Sequence, residues 1–269
     1  MAHPALAALT MGSRCDPAEP RVSGLVVPPR VRLAVAGSDV PAQPPHWFSA
    51  PETHRWASLG ARRKPLFLGS RVLLRNLLAD AGGGSPEQWL LDGRGAPLDS
   101  ASGLKTSISH HAARVAVAVC GATDGLGVDL ERPRDVVDSG RIAARWFSAD
   151  EQALLAQAEA KQMNALFYRL WTLKEAWVKA TGRGLAGNFQ AIQAEIDPVS
   201  GWRLTADTAA TGWQAWSGKV EEDWLAVVWN SNKQTPPSIS TATLFADRCG
   251  EVRAEMPAAT IHLPVEPRL

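Results

Sequence analysis

Between Thr106 and Glu131 the chain shifts from helical to strand period, and that shift narrows the folds open to it. Three short segments, SISH from Ser107, RVAVAV from Arg114 and LGVDLE from Leu126, are set apart by turn-forming residues, notably Gly121 and Asp124-Gly125. They read as three neighbouring strands. Alternation puts Val115, Val117 and Val119 on one face and Ala116 and Ala118 on the other. Before them, the run from Pro65 carries Leu66, Leu73, Leu74, Leu77 and Leu78 at helical spacing, with Gly82 to Gly84 as its stop. Arg71 and Arg75, four apart, share the polar side of that helix.

The same order recurs downstream. Ser148-Ala-Asp-Glu151 has the form of a capping box that opens a helix running to about Ala160. A second long helix follows from Asn164 to Ala180 through Leu166, Leu170, Leu173 and Trp177, ended by Gly182. Strands are then expected at 194–196, 201–205, 212–217 and 224–229. No repeat is visible in the sequence, yet this order of elements implies an α+β fold of two similar halves. The expected division is a loose proline-rich arm over 1–45 with one strand at Val31 to Val35, a first half over 46–122, a second half over 123–230, and a tail of unassigned role over 231–269.

Composition excludes several classes of function. A net charge of +1 lacks the broad basic excess of a protein that covers nucleic-acid phosphates, so any anion site must be built locally. Cys15, Cys120 and Cys249 are too far apart for zinc spacing and odd in number, which fits reduced thiols in a cytoplasmic protein. No stretch of about 18 apolar residues exists to span a bilayer, and Met1 to Thr10 lack the basic residue that begins a secretory signal. At 269 residues and 45% apolar content, one large core or two modest ones can be buried. The eleven tryptophans read as packing anchors.

Asp129 and Glu131 sit two apart at a strand end, so their carboxylates leave one face together. Such a pair suits a hard divalent cation, and magnesium better than zinc. Glu175 and Lys179, four apart, share one face of the second long helix. Taken singly, the acid pair reads as a solvated loop end and the Glu–Lys pair as an exposed salt bridge contributing about 0.3–0.5 kcal/mol.

The ordered set changes that reading. Ile108-Ser109-His110, then Gly127-Val128-Asp129-Leu130-Glu131, then Trp171-Thr172-Leu173-Lys174-Glu175-Ala176-Trp177-Val178-Lys179 resembles the Sfp-type 4'-phosphopantetheinyl transferases in motif and in order, over roughly Arg62 to Trp229. The resemblance implies a phosphopantetheinyl transferase-like, pseudo-twofold α+β fold with the active site in the cleft between its halves. It implies a monomeric, Mg2+-dependent enzyme that moves phosphopantetheine from coenzyme A to a serine of an acyl or peptidyl carrier protein, with no nucleic-acid or membrane partner. By the same resemblance Asp129, Glu131 and Glu175 are the metal ligands, and Glu175, directly or through water, is the base for the serine proton. Lys179 and Lys174 donate to phosphate oxygens or protonate the leaving group, although about 100° separates Lys174 from Glu175 around the helix and favours Lys179. Ser109 and His110 go with the 3'-phosphate of coenzyme A, and Arg62 with the nucleotide.

Where the family often has Gly-Lys-Pro, this chain has Gly95-Ala96-Pro97, and Arg94 stands by as a substitute cation. That missing lysine supports an alternative, a non-catalytic module that binds coenzyme A or a carrier, against which the complete acid set argues. A third reading is a magnesium enzyme for other nucleotides. Trp146 and Phe147 read either as core anchors or as part of a carrier-docking surface with Arg141 and Arg145.

Overall fold

The structure is a computed structural model and describes residues 32–37, 43–121, 123–134, 138–182, 189–197, 201–205, 213–230, 238–246 and 252–256. Cys249 and most of the proline-rich arm, Cys15 included, lie outside them. The elements run β1 (Arg32–Gly37), α1 (Ala50–Ala57), α2 (Lys64–Gly82), β2 (Leu104–His111), β3 (Arg114–Gly121), β4 (Leu126–Glu131), α3 (Ser139–Trp146), α4 (Ala149–Gln157) and α5 (Ala160–Thr181). There follow β5 (Gln193–Asp197), β6 (Gly201–Thr205), β7 (Trp213–Val220), β8 (Asp223–Asn230), β9 (Ser238–Thr241), β10 (Thr243–Ala246) and β11 (Val252–Glu255). The fold is α+β, with the two long helices and the strands where periodicity predicts them.

One sheet has the order β2-β3-β1-β9 and another β4-β8-β7-β6-β5. The valine face of β3 packs on α2 through Leu73, Leu74, Leu77 and Leu78. Its other face, Ala116, Ala118 and Cys120, joins Val128, Leu130, Leu225 and Val227 of the second sheet. Beyond that sheet α5 buries Leu166, Leu170, Leu173 and Trp177 against Trp224, Ala226 and Val228. The two helix-on-sheet units thus lie back to back, each long helix on the side away from the seam and itself overlain by shorter helices.

The expectation of three neighbouring strands is corrected at β4. Only β2 and β3 share a ladder, and β4 pairs antiparallel with β8. Serine hydroxyls of β2 nevertheless reach across, since the Val128 N–H donates to Ser107 Oγ at 3.0 Å and the Leu130 N–H to Ser109 Oγ at 3.3 Å. The seam between the sheets is therefore held by side chain to backbone bonds. In the stretch expected as a tail, β9 runs parallel to β1, and Leu244, Ala254 and Met256 pack on the α2 core.

Arg71 and Arg75 do not form a solvated polar side. Both are buried around Glu52, which is 0% exposed. Arg75 donates to both Glu52 oxygens at 2.9 and 2.6 Å, and Arg71 Nε approaches at 3.4 Å. Glu52 is also the third residue of the capping box opened by Ser49.

The second half repeats this arrangement. Glu151, in the Ser148 capping box, accepts from buried Lys174 at 2.8 Å, and each cation lies 23 residues beyond its glutamate. This corrects the expectation that the sequence holds no repeat: Trp47-Phe48-Ser49-Ala50-Pro51-Glu52 and Trp146-Phe147-Ser148-Ala149-Asp150-Glu151 differ at one position. Its message is contextual, because a capping glutamate looks exposed until a cation from the long helix is packed onto it.

Truncating one partner of a buried pair leaves the other charge uncompensated. Glu52→Ala is therefore expected to destabilise the fold by about 3–5 kcal/mol, read as a lower urea midpoint with an unchanged slope.

Candidate active site

The acid cluster depends on how closely α5 can approach β4. Gly127 faces the helix, and a Cβ there would lie 1.9 Å from the Ala176 carbonyl oxygen and 2.6 Å from the Ala180 nitrogen. Strand alternation puts Asp129 and Glu131 on the same face as Gly127, and the helix supplies Glu175 and Lys179 one turn apart. The motif glycine is thus a condition of contact between backbones.

Buried Asp129 is gripped through one oxygen. Its Oδ1 accepts from Ser109 Oγ at 2.8 Å and from Lys179 Nζ at 2.8 Å. Lys179 spends its other two donors on Ser109 Oγ at 2.9 Å and the Val128 carbonyl at 3.0 Å. Asp129 Oδ2, by contrast, is buried and accepts no hydrogen bond from the protein. Glu131 Oε2 lies 2.7 Å from His111 Nδ1.

The carboxyls repel one another. Burial, then Asp129 and Glu175, push the Glu131 carboxyl up to about 7, and burial followed by Asp129 raises that of Glu175. Among the described residues no three His, Cys, Asp or Glu side chains are already drawn together as a metal cage, because Asp129 leans on Lys179 and Glu131 on His111. The donor set still fits a hard cation, since three oxygen ligands lie within electrostatic reach and one buried oxygen lacks a partner.

Beside this cluster a cleft of about 890 Å³ opens in the first half. Arg55, Arg63, Arg71, Arg94, His54 and His110 line it against one acid, Asp92. Arg71 lies over the Phe67 ring at 4.1 Å and donates to the Gly93 carbonyl at 2.8 Å. Asp92 Oδ1 gathers the N–H groups of Arg94, Gly95 and Ala96 at 2.8, 2.6 and 2.8 Å. That turn needs Gly95, whose φ is +103°, and it sets Arg94 at the rim. His110 joins cleft and acids: burial, then Lys179 and Arg63, hold its pKa below the ordinary histidine value while Asp129 opposes them.

Several expected site residues stand elsewhere. Lys174 is a correction: it is 0% exposed and donates to Glu151, Phe189 O and Ile192 O, so no donor is left for a phosphate. Ser109 is buried with its hydroxyl committed to Asp129, Lys179 and Leu130, and it organises the acids instead of facing the cleft. Arg62, on a short 3-10 turn, is absent from the cleft lining and borders an adjoining pocket with Arg55 and Arg63, while Arg63 lines the cleft as well. Consecutive residues of such a turn point about 120° apart, which an Arg-Arg-Lys run does not disclose. Phe147 is core, and Trp146 is half-buried against Phe189 with Arg145 over its ring. Arg55, Arg63, Arg71 and His111 escaped sequence reasoning as site residues, and the signal for Arg71 was its place four before Arg75 on a predicted helix.

An acid cluster beside a basic cleft, at the seam of an α+β fold, has the charge arrangement that binding a cation together with a phosphorylated ligand requires. Residues 125–228 match the family model of the 4'-phosphopantetheinyl transferase superfamily. The chain is 33% identical over 144 residues to the 4'-phosphopantetheinyl transferase HetI of Nostoc, an alignment covering 51% of this chain and 60% of that protein. It is 30% identical over 141 residues to a 4'-phosphopantetheinyl transferase of Bacillus pumilus, covering 51% and 58%. The chain thus spans little more than half the length of these curated relatives. A holo-(acyl-carrier-protein) synthase from Bacillus anthracis, solved in complex with CoA, superposes with a TM-score of 0.33 at 19% identity, over 41% of this chain and 98% of that one.

Gly127→Ala is expected to cost about 3 kcal/mol, the upper range for an inserted methyl, because backbone atoms oppose it. Chemical denaturation measures the loss.

Proposed function

We propose that this protein transfers the 4'-phosphopantetheine arm of coenzyme A to a serine of an acyl or peptidyl carrier protein, releasing adenosine 3',5'-bisphosphate. The observation that carries the reading is that buried Asp129 keeps an unpartnered Oδ2, within electrostatic reach of Glu131 and Glu175 and beside a basic cleft. Curated relatives named 4'-phosphopantetheinyl transferases support it. A binding remnant has no need of a complete acid set.

In this reading the three acids hold Mg2+, which supplies positive charge against the pyrophosphate when bound. Asp129 is pinned by Ser109 and Lys179 and keeps Oδ2 available as a ligand. Glu175, its carboxyl made more basic by burial and by Asp129, is the group that takes the serine proton, directly or through water. The serine oxygen then attacks the β-phosphorus as the bisphosphate leaves. Arg63, Arg94 and His110 address the nucleotide phosphates from the cleft wall, and Arg94 takes the part of the missing Gly-Lys-Pro lysine. Lys179 reaches a phosphate by exchanging one of its three bonds. Exposed Arg141 and Arg145 on α3 meet an acidic carrier. The enzyme is read as monomeric and cytoplasmic, consistent with a free, buried Cys120 thiol; among the described residues no helix is long and apolar enough to cross a membrane.

Mixing the protein with coenzyme A, Mg2+ and an apo carrier is expected to raise the carrier mass by one phosphopantetheine, and silence across a panel of carrier types counts against the proposal. Asp129→Asn and Glu175→Gln should each lower kcat/KM by about 100-fold or more with the fold retained by circular dichroism.

Cation affinity should depend on pH. A carboxyl raised to about 7 is protonated below that value, so Mn2+ binding weakens by about tenfold per unit as pH falls below 7 and levels off above it. The same shift makes the metal-free fold lose stability as pH rises from the ordinary glutamate value toward 7. Calorimetric titrations at pH 6, 7 and 8 measure the first effect, and melting curves without metal the second.

A further inference from the structure

One face of β2 serves β4 along its whole length. Ser107 accepts from the Val128 N–H, Ser109 holds Asp129 and the Leu130 N–H, and His111 meets Glu131. The alternate residues, Ile108 and His110, line the cleft. His111 thus occupies the third position of a row whose first two members already hold β4.

Its hydrogen bonds fix its tautomer. Arg134 Nη2 lies 2.8 Å from His111 Nε2. A guanidinium has donors only and keeps its charge, so Nε2 is the acceptor and the ring proton sits on Nδ1. Nδ1 lies 2.7 Å from Glu131 Oε2 and therefore donates to it. Arg134 is itself tethered, its backbone N–H donating to the Tyr168 hydroxyl of α5 at 3.1 Å. A chain of bonds runs from α5 through Arg134 and His111 to one carboxylate oxygen.

Resting on the reading of Asp129, Glu131 and Glu175 as cation ligands, we infer that His111, oriented by Arg134, is a positioning residue that fixes the Glu131 carboxylate for the cation. Glu131 ends its strand with its side chain 26% exposed, and an unanchored glutamate there would lose rotamer freedom on ligation. A donor on Oε2 removes most of that loss in advance and leaves the other oxygen for the metal. Partners of this kind typically change metal affinity by about 10- to 100-fold.

The test is Mn2+ alone, titrated into the full chain and followed by the paramagnetic resonance signal of the free ion. His111→Ala should weaken binding by about 10- to 100-fold. His111→Asn, whose amide can donate from near the Nδ1 position, should restore most of it. Arg134→Leu should give a smaller loss. In transfer assays His111→Ala should raise the Mg2+ concentration for half-maximal rate while kcat at saturating metal stays within about threefold, a split that general loosening would not produce. If the natural sequence binds Mn2+, Asp129→Asn abolishes binding and His111→Ala binds as tightly as the natural sequence, the inference is overturned and the cation site stands. If Asn fails to rescue a weakened Ala variant, donation to Glu131 is overturned as the cause. Should the natural sequence bind no Mn2+, the cation reading itself falls, and this inference with it.

Discussion

The close approach of α5 to β4 at Gly127 governs the site. A methyl group there would stand within bonding distance of the helix backbone, so the helix rests directly on the strand. That contact brings the ammonium of Lys179 onto Asp129 and Glu175 into its field. Separating strand and helix by one side-chain layer would solvate the acids and let their charges act independently. Because they are close and partly buried, Glu131 and Glu175 resist ionisation, and a site short of positive charge results.

Holding two such units rigid is the task of the buried ion pairs. In each half a capping-box glutamate turns inward to satisfy its own helix and a cation of the long helix, Arg75 or Lys174. Isolated buried charges would be costly, but here most polar atoms are satisfied, and the pairs fix how the short helix sits on the long one. In the first half Arg71, beside the same glutamate, also forms part of the cleft. Packing and the positive charge of the cleft are coupled there through one guanidinium, whose pKa burial lowers to about 10.

Between the halves, β2 has two faces with separate duties. Ile108 and His110 face the cleft, while Ser107, Ser109 and His111 hold β4 and its acids. Cleft and acid cluster are therefore built on opposite sides of one strand, and His110 feels Lys179, Arg63 and Asp129 together. The arrangement lets a strand of the first half complete a site whose acids belong to the second.

Local pattern alone determined the two long helices, most strands and the Ser148 capping box, because periodicity and caps act over a few residues, while the set of Asp129, Glu131, Glu175 and Lys179 came from the resemblance of three ordered motifs. Direction at longer range was not readable. Lys174 and Lys179 look alike on a helix written out as a sequence, yet one is sealed beneath Glu151 and the other lies against Asp129. Arg62 and Arg63 differ only in which way a short turn points them, and Ser109 holds the acids because β4 leaves the ladder of β3 to pair with β8. Tertiary structure decided these matters because burial and ion pairing depend on which elements meet, a property of the folded chain that no local run of residues carries.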